Sequence, residues 1–219
     1  MNKTAIIAVR AVCLGICLLG GARPQARAAA PAGYYLVWSD EFNGAALDTT
    51  KWDYWLLGSR RDAVNVASAV SLNGTNLVIT TYTTNGTHYT AMVATDGKFW
   101  SRYGYWEASM KFGDTNGMWS AFWLQPTRMT SGTLVYDPWS SGSEIDIEEH
   151  RSTDGASSGD IINQVQNNIH WNGYGSDARS AGSGNIGSGL GSGFHTVGFL
   201  WTPTDYTIYL DGNNVFACM

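Results

Sequence analysis

Apolar residues in this chain fall in short alternating runs broken by Gly, Asn, Asp and Pro, and no segment keeps a helical period for three turns. Successive side chains on a strand point to opposite faces, so such runs predict strands with one buried side. They cover Tyr34 to Trp38, Val64 to Ala69, Leu77 to Tyr82, His88 to Val93, Gly104 to Lys111, Ser120 to Leu124, Asn168 to Trp171, Phe199 to Trp201 and Tyr206 to Leu210. Asn73-Gly74 and Asn85-Gly86 predict tight hairpin turns, where both central residues take positive φ. Thr202-Pro203-Thr204-Asp205 closes a last hairpin. Trp52 and Trp55 are expected to cover the edge of a sandwich. Three segments predict loops: Thr130 to Ser143, Ser152 to Gly159 and Ser176 to Gly193. The last is so rich in Gly and Ser that little order is expected there. The fold class is therefore all-β.

One predicted strand breaks the usual chemistry. Ser143-Glu144-Ile145-Asp146-Ile147-Glu148-Glu149-His150 carries four acids, although acids are depleted in strands and same-face like charges repel. Ile145 and Ile147 face one way, and Glu144 and Asp146 the other. A solvated edge strand guarded by charge would favour lysines or scattered acids instead. Residues two apart lie ~7 Å apart along a strand and residues four apart ~13 Å. Two glutamates leaning over a shorter aspartate can still bring their carboxyls to the ~5–5.5 Å that retaining glycosidases use. Metal binding is the competing chemistry, and it ranks second because acids on one flat strand wrap an ion poorly.

Composition adds substrate and compartment. Ten Trp, eleven Tyr and 26 Gly with 14% charged residues suit an aromatic-lined cleft, and sugar rings stack their C–H faces on indole. Residues 1–30 predict a signal peptide: Lys3 and Arg10 flank the apolar run Ala11 to Leu19, and Ala26-Arg27-Ala28 or Ala28-Ala29-Ala30 offers a cleavage site. The protein is then secreted, extracellular or periplasmic. The formal net charge is −5, and Lys3, Arg10, Arg23 and Arg27 would leave with the leader. That balance argues against nucleic acid and anionic membranes as partners. Cys13 and Cys17 would leave too, so Cys218 alone stays and no disulfide framework is available.

Glu144-Ile145-Asp146-Ile147-Glu148-Glu149 resembles the catalytic strand of the family 16 glycoside hydrolases, which use Glu-x-Asp-x-Glu in a regular strand or Glu-x-Asp-x-x-Glu with a bulge. Val37 to Gly44, Arg102 to Ala108, Gly117 to Leu124, Phe194 to Gly198 and Tyr209 to Gly212 are similar to other stretches of that family, in order, from about Val37 to Val215. The resemblance implies a β-sandwich of the jelly-roll, concanavalin-like type over residues 31–219. It also implies that strands following Gly212 are missing, so the domain would be truncated at its C-terminus.

For the site, the resemblance implies Glu144 as nucleophile, Asp146 as modulator and Glu149 as acid/base, with Glu148 as the alternative acid/base. Trp119, Trp123, Arg102, His170 and Trp171 match positions that contact substrate. Glu41 matches an edge position where a structural calcium can bind; catalysis itself needs no cofactor. A bulge is expected in the strand, because without one Glu149 would be buried on the isoleucine face at a cost of several kcal/mol. With it, Glu148 is expected at the kink within reach of water, His150 inside and Arg151 back on the cleft side.

The implied activity is endo-acting, retaining hydrolysis of a β-linked polysaccharide by a monomer. β-1,3- or β-1,3-1,4-glucan is the first substrate and red-algal galactan the alternative, since basic groups for sulfate are few. A carbohydrate-binding protein without catalysis is the alternative from another class.

Overall fold

The computed structural model describes residues 7–9, 31–113, 116–126, 142–153, 160–191 and 193–218. Most of the predicted leader, most of the predicted loop of Thr130 to Ser143 and most of that of Ser152 to Gly159 lie outside the described residues. The chain divides into two compact units, Met1–Trp106 and Glu107–Met219. Among the described residues the only helical element is one 3₁₀ turn, and no helix is long and apolar enough to cross a membrane.

The first unit contains short strands: β1 Ile7–Val9, β2 Trp38–Ser39, β3 Asp53–Tyr54, β4 Gly58–Arg60, β5 Ala63–Asn65, β6 Val70–Leu72, β7 Leu77–Ile79, β8 Tyr82–Thr84, β9 Thr87–Thr90 and β10 Val93–Ala94. Strand β1 runs parallel to β2, β3 pairs with β10, and β4-β5-β9-β8 form a four-stranded sheet. The Asn85-Gly86 turn forms as predicted, with φ 50° and 76° between β8 and β9. The connection between β6 and β7 is wider: Gly74 has φ +88° but Asn73 does not take positive φ, and the Asn73 N–H donates to the Asn76 carbonyl at 3.2 Å. The Asn73 side chain accepts from the backbone N–H of Thr75 and Asn76, closing that connection.

The predicted strand Tyr34 to Trp38 shrinks to Trp38–Ser39, because Tyr35, Leu36 and Val37 are exposed with no face to bury. The segment Val64 to Ala69 is broken by a 3₁₀ turn at Ala67–Ala69. Trp52 packs edge-on against Trp38 at 5.2 Å and donates its indole N–H to Asp40 at 2.9 Å.

Strand β11, Gly104–Met110, crosses the division between the units. The second unit adds β12 Trp119–Leu124, β13 Ser143–Arg151, β14 Gln166–Trp171, β15 Arg179–Gly182, β16 His195–Trp201, β17 Tyr206–Leu210 and β18 Asn213–Cys218. Strands β12-β13-β14-β15 form one antiparallel sheet, and β16, β17 and β18 are successive antiparallel neighbours. Strand β13 lies against β16, and Ile145, Ile147, Val197 and Phe199 are buried there, as is Ile208 on β17. At roughly 1.5–3 kcal/mol per fully buried aliphatic or aromatic side chain, this core is what holds an acidic strand in place.

One expectation for the unit is corrected. The Gly/Ser-rich segment is not structureless: Arg179–Gly182 adds to the edge of β14 and gives that strand's outer backbone groups partners. Beyond Gly212 the chain adds β18 beside β17.

Candidate active site

Strand β13 carries the site, and its register explains which acids face it. Opposite β12, Trp123 pairs with Asp146 but Phe122 pairs with Glu148; opposite β14, Asn168 pairs with Asp146 but Gln166 pairs with Glu149. Both neighbours thus skip one residue between Asp146 and Glu149, which is a β-bulge in β13. Directly opposed residues share a face. Glu144, Asp146, Glu149 and Arg151 therefore stand with His170, Asn168, Gln166, Trp123 and Trp119 on the face away from the core.

The bulge expected from the sequence is present, and so is its consequence for His150. That ring is buried, its Nε2 lies 2.8 Å from the carbonyl oxygen of Ile162, and it stacks on Phe112 at 4.8 Å. The expectation for Glu148 is corrected. It is 0% exposed instead of reaching water, and neither carboxyl oxygen has a hydrogen-bond partner among the described residues. The bulge keeps Ile147 and Glu148 together on the inner side, so relieving Glu149 buries its neighbour. Burial, and then the charge of Glu149, push the Glu148 carboxyl well above the usual carboxylate range.

Each of the other acids has its own set of donors. Glu149 accepts from the indole N–H of Trp119 at 2.9 Å and from the amide of Asn168 at 2.5 Å, and Arg151 lies 3.5 Å away. The Arg151 guanidinium sits 4.8 Å over the Trp119 ring and donates to Gln166. Asp146 places an oxygen 3.1 Å from His170 Nε2. Burial, then Glu149 and Glu144, push its carboxyl up to about 8, so it keeps its proton at neutral pH. Glu144 accepts from the hydroxyl of Tyr174, which in turn accepts from the Gln125 amide at 3.0 Å. Burial and that bond to Glu144 push the Tyr174 phenol up to about 12.

Tyr174, Asn168 and Gln125 are site residues that the strand pattern did not single out. The signal for Tyr174 lay in Asn172-Gly173: positive φ at both, 64° and 77°, turns the chain so that the tyrosine comes back over Glu144.

The remaining sequence candidates divide. Trp119 and Trp123 share the carboxylate face, and Trp119 is half-exposed. Trp171 follows His170 and so falls on the opposite face of β14, with Asn167 and Ile169, which removes it from the carboxylates. Arg102 belongs to the first unit, where its guanidinium lies 4.8 Å over the Tyr103 ring. Glu41, in the same unit, lines a cavity with Asp40, Asn43, Asp48 and Lys51. Both Asp40 oxygens there are engaged, by Phe42 N–H and Trp52, and Lys51 Nζ donates to the Ser39 carbonyl at 2.8 Å. Glu144, Asp146 and His170 offer three ligand atoms within 4.8 Å of one another, the one such group among the described residues. Two carboxylates and an imidazole are a poor set for calcium, which prefers six to eight oxygens.

Known proteins match this chain along most of its length. The family model described as "Beta-porphyranase A-D, GH16 domain" matches residues 36–218. A keratan-sulfate endo-1,4-β-galactosidase from Sphingobacterium multivorum is 29% identical over 198 residues, covering 86% of this chain and 44% of the relative. A β-glucanase from Rhodothermus marinus is 28% identical over 223 residues, covering 96% and 72%. The solved structure of a family 16 protein of the Bacteroides ovatus mixed-linkage glucan locus, in complex with a G4G4G3G product, matches with a TM-score of 0.64. It is 25% identical and covers 82% of this chain and 76% of that one. The chain spans between 29% and 44% of the length of three of the curated relatives it matches. With the β-jelly-roll fold and a carboxylate strand of the expected spacing, the chain belongs to glycoside hydrolase family 16, a family of retaining O-glycosyl hydrolases.

Proposed function

We propose that the protein is a secreted, endo-acting retaining β-glycosidase in which Glu144 is the nucleophile and Glu149 the acid/base. The observation that carries this assignment is the β13 bulge, which sets Glu149 on the face of Glu144 and Asp146 and shuts Glu148 into the core. In the first step the Glu144 carboxylate bonds to the anomeric carbon while the glycosidic bond breaks and the Glu149 proton passes to the leaving oxygen. In the second, Glu149, now ionised, takes a proton from water as that water displaces Glu144. Asp146 stays protonated between the two glutamates, which spares the site a third adjacent negative charge. Tyr174 donates to Glu144 and steadies the carboxylate that attacks and later leaves. None of these steps needs a cofactor.

A β-galactan that bears sulfate is the substrate we favour, with β-1,3- or β-1,3-1,4-glucan second. The porphyranase-type family match and the keratan-sulfate endo-galactosidase relative support the first. Arg151 adds a fixed cation on the carboxylate face. The β-glucanase relative and the glucan-product complex support the second. Trp119 and Trp123 suit either as stacking platforms, and Arg102 is kept as a substrate contact. A monomer is proposed, and residues 1–30 support export. A structural calcium beside Glu41 is a separate proposal, opposed by the Lys51 ammonium in the same cavity; a Tm unchanged by calcium would remove it.

The test is to incubate the protein with porphyran, keratan sulfate, agarose, carrageenan, laminarin and lichenan and to measure reducing ends. Release from porphyran or keratan sulfate, with falling viscosity, supports the galactan assignment. Release from laminarin or lichenan alone supports the glucan one, and binding without release would mark a carbohydrate-binding protein.

A further inference from the structure

Asn168 occupies the centre of the carboxylate face. On β14 it pairs with Asp146 on one side and Gly182 on the other, yet its amide reaches past Asp146 to donate to Glu149 at 2.5 Å. The reach follows from the bulge, which shifts Glu149 by one residue relative to β14.

Space for the amide comes from Gly182. A Cβ added there would fall inside contact distance of the Asn168 carboxamide and 2.5 Å from the Asn167 carbonyl oxygen. The Gly182 backbone is not in the left-handed region, so the glycine is required for room and not for its φ.

Resting on the assignment of Glu149 as acid/base, we propose that Asn168 is its positioning residue and that Gly182 is the spacer that lets the amide sit there. An N–H aimed at a carboxylate favours the ionised form. Asn168 therefore fixes the direction of the Glu149 carboxyl and supports the ionised form that takes the proton from water. An amide also carries an acceptor beside its donor, so turned end for end it can accept from the protonated carboxyl of the first step. Neither a hydrophobic side chain nor a carboxylate at position 168 serves both states.

The test is the pH dependence of kcat/KM for the full chain, Asn168→Ala and Asn168→Asp on the polysaccharide that the wild type cleaves. In Asn168→Ala the alkaline limb, which reports the acid/base, should move up by about one pH unit, the equivalent of one hydrogen bond to a charged group. Asn168→Asp should move it further by adding like charge, and the acid limb should stay in place. Superimposable profiles overturn the proposal while leaving the assignment of Glu149 intact. If the wild type cleaves nothing, the functional assignment fails separately. The inference is then decided by carboxyl ¹³C NMR, in which Glu149 must titrate higher in Asn168→Ala than in wild type; equal values overturn it. Asn168→Ser serves in both experiments should the alanine variant not fold.

Discussion

Glu148 and Glu149 are consecutive in the chain and stand on opposite sides of β13: Glu148 is 0% exposed and unpartnered among the described residues, while Glu149 accepts from Trp119 and Asn168. Glu149→Gln should lower kcat on unactivated polysaccharide by about 10²–10⁴-fold, the usual loss for a general acid/base. Glu148→Gln should leave kcat near wild type. Steady-state kinetics on the two variants separates the roles, and the reverse order would place the acid/base at 148.

The buried carboxyl of Glu148 carries a stability cost. Replacing it by Leu, which fills similar space, should stabilise the protein by roughly 1–3 kcal/mol, the usual penalty for a buried polar group without a partner. Denaturant midpoints at pH 7 check this; a loss of stability would mean that the carboxyl has an undetected partner.

Stability should fall as pH rises. Asp146 takes its proton at about 8 when folded and near 3.8 when unfolded, so the folded state binds the extra proton between those values. The stabilisation is full below the unfolded value and is lost as pH climbs through the folded one. Glu148 acts with the same sign. Thermal melts from pH 4 to 9 should show a decline in Tm that is shallower in Asp146→Asn and Glu148→Gln. A wild-type Tm that rises toward pH 9 would contradict it.

How much of this was legible in the sequence varied with the length of the element. Strands β11, β12, β13, β14 and β17, of five to nine residues, and the Phe199–Trp201 end of β16 stand out as apolar or alternating runs. Strand β15 was missed because Arg179-Ser-Ala-Gly has no apolar pattern; it forms only because β14 offers an edge. The bulge was foreseen from the cost of burying Glu149, but that reasoning gave Glu148 to water. A bulge turns two successive residues the same way, and the second here is acidic. Tyr174 was missed because its link to Glu144 crosses a turn and 30 residues. Trp171 stands on the face of β14 opposite His170, as strand alternation requires.

Tyr174→Phe removes the hydroxyl that Glu144 accepts from and leaves the ring. The nucleophile then loses a hydrogen bond to a charged group, worth ~1.5–3 kcal/mol, so kcat/KM should fall by about 10-fold or more. Steady-state kinetics of the variant checks this, and an unchanged kcat/KM would leave Tyr174 as a mere wall of the site.

His170→Gln should reduce kcat by up to about 10-fold, because the 3.1 Å contact with Asp146 holds the protonated modulator between the glutamates and a hydrogen bond without a charged partner is worth ~0.5–1.5 kcal/mol. A shift confined to KM would make His170 a substrate contact instead.

The central claim, a double displacement with Glu144 as nucleophile and Glu149 as acid/base, is tested most directly by azide rescue of Glu149→Ala on an activated aryl β-glycoside, with the product's anomeric configuration read by NMR. Glycosyl-enzyme forms without acid help when the leaving group is good, and azide then attacks it without needing a base. The result predicted is restored turnover and a β-glycosyl azide from Glu149→Ala, an α-glycosyl azide from Glu144→Ala, and no azide effect on Glu148→Ala. Rescue of Glu148→Ala in place of Glu149→Ala, or an α-azide from Glu149→Ala, would contradict the assignment.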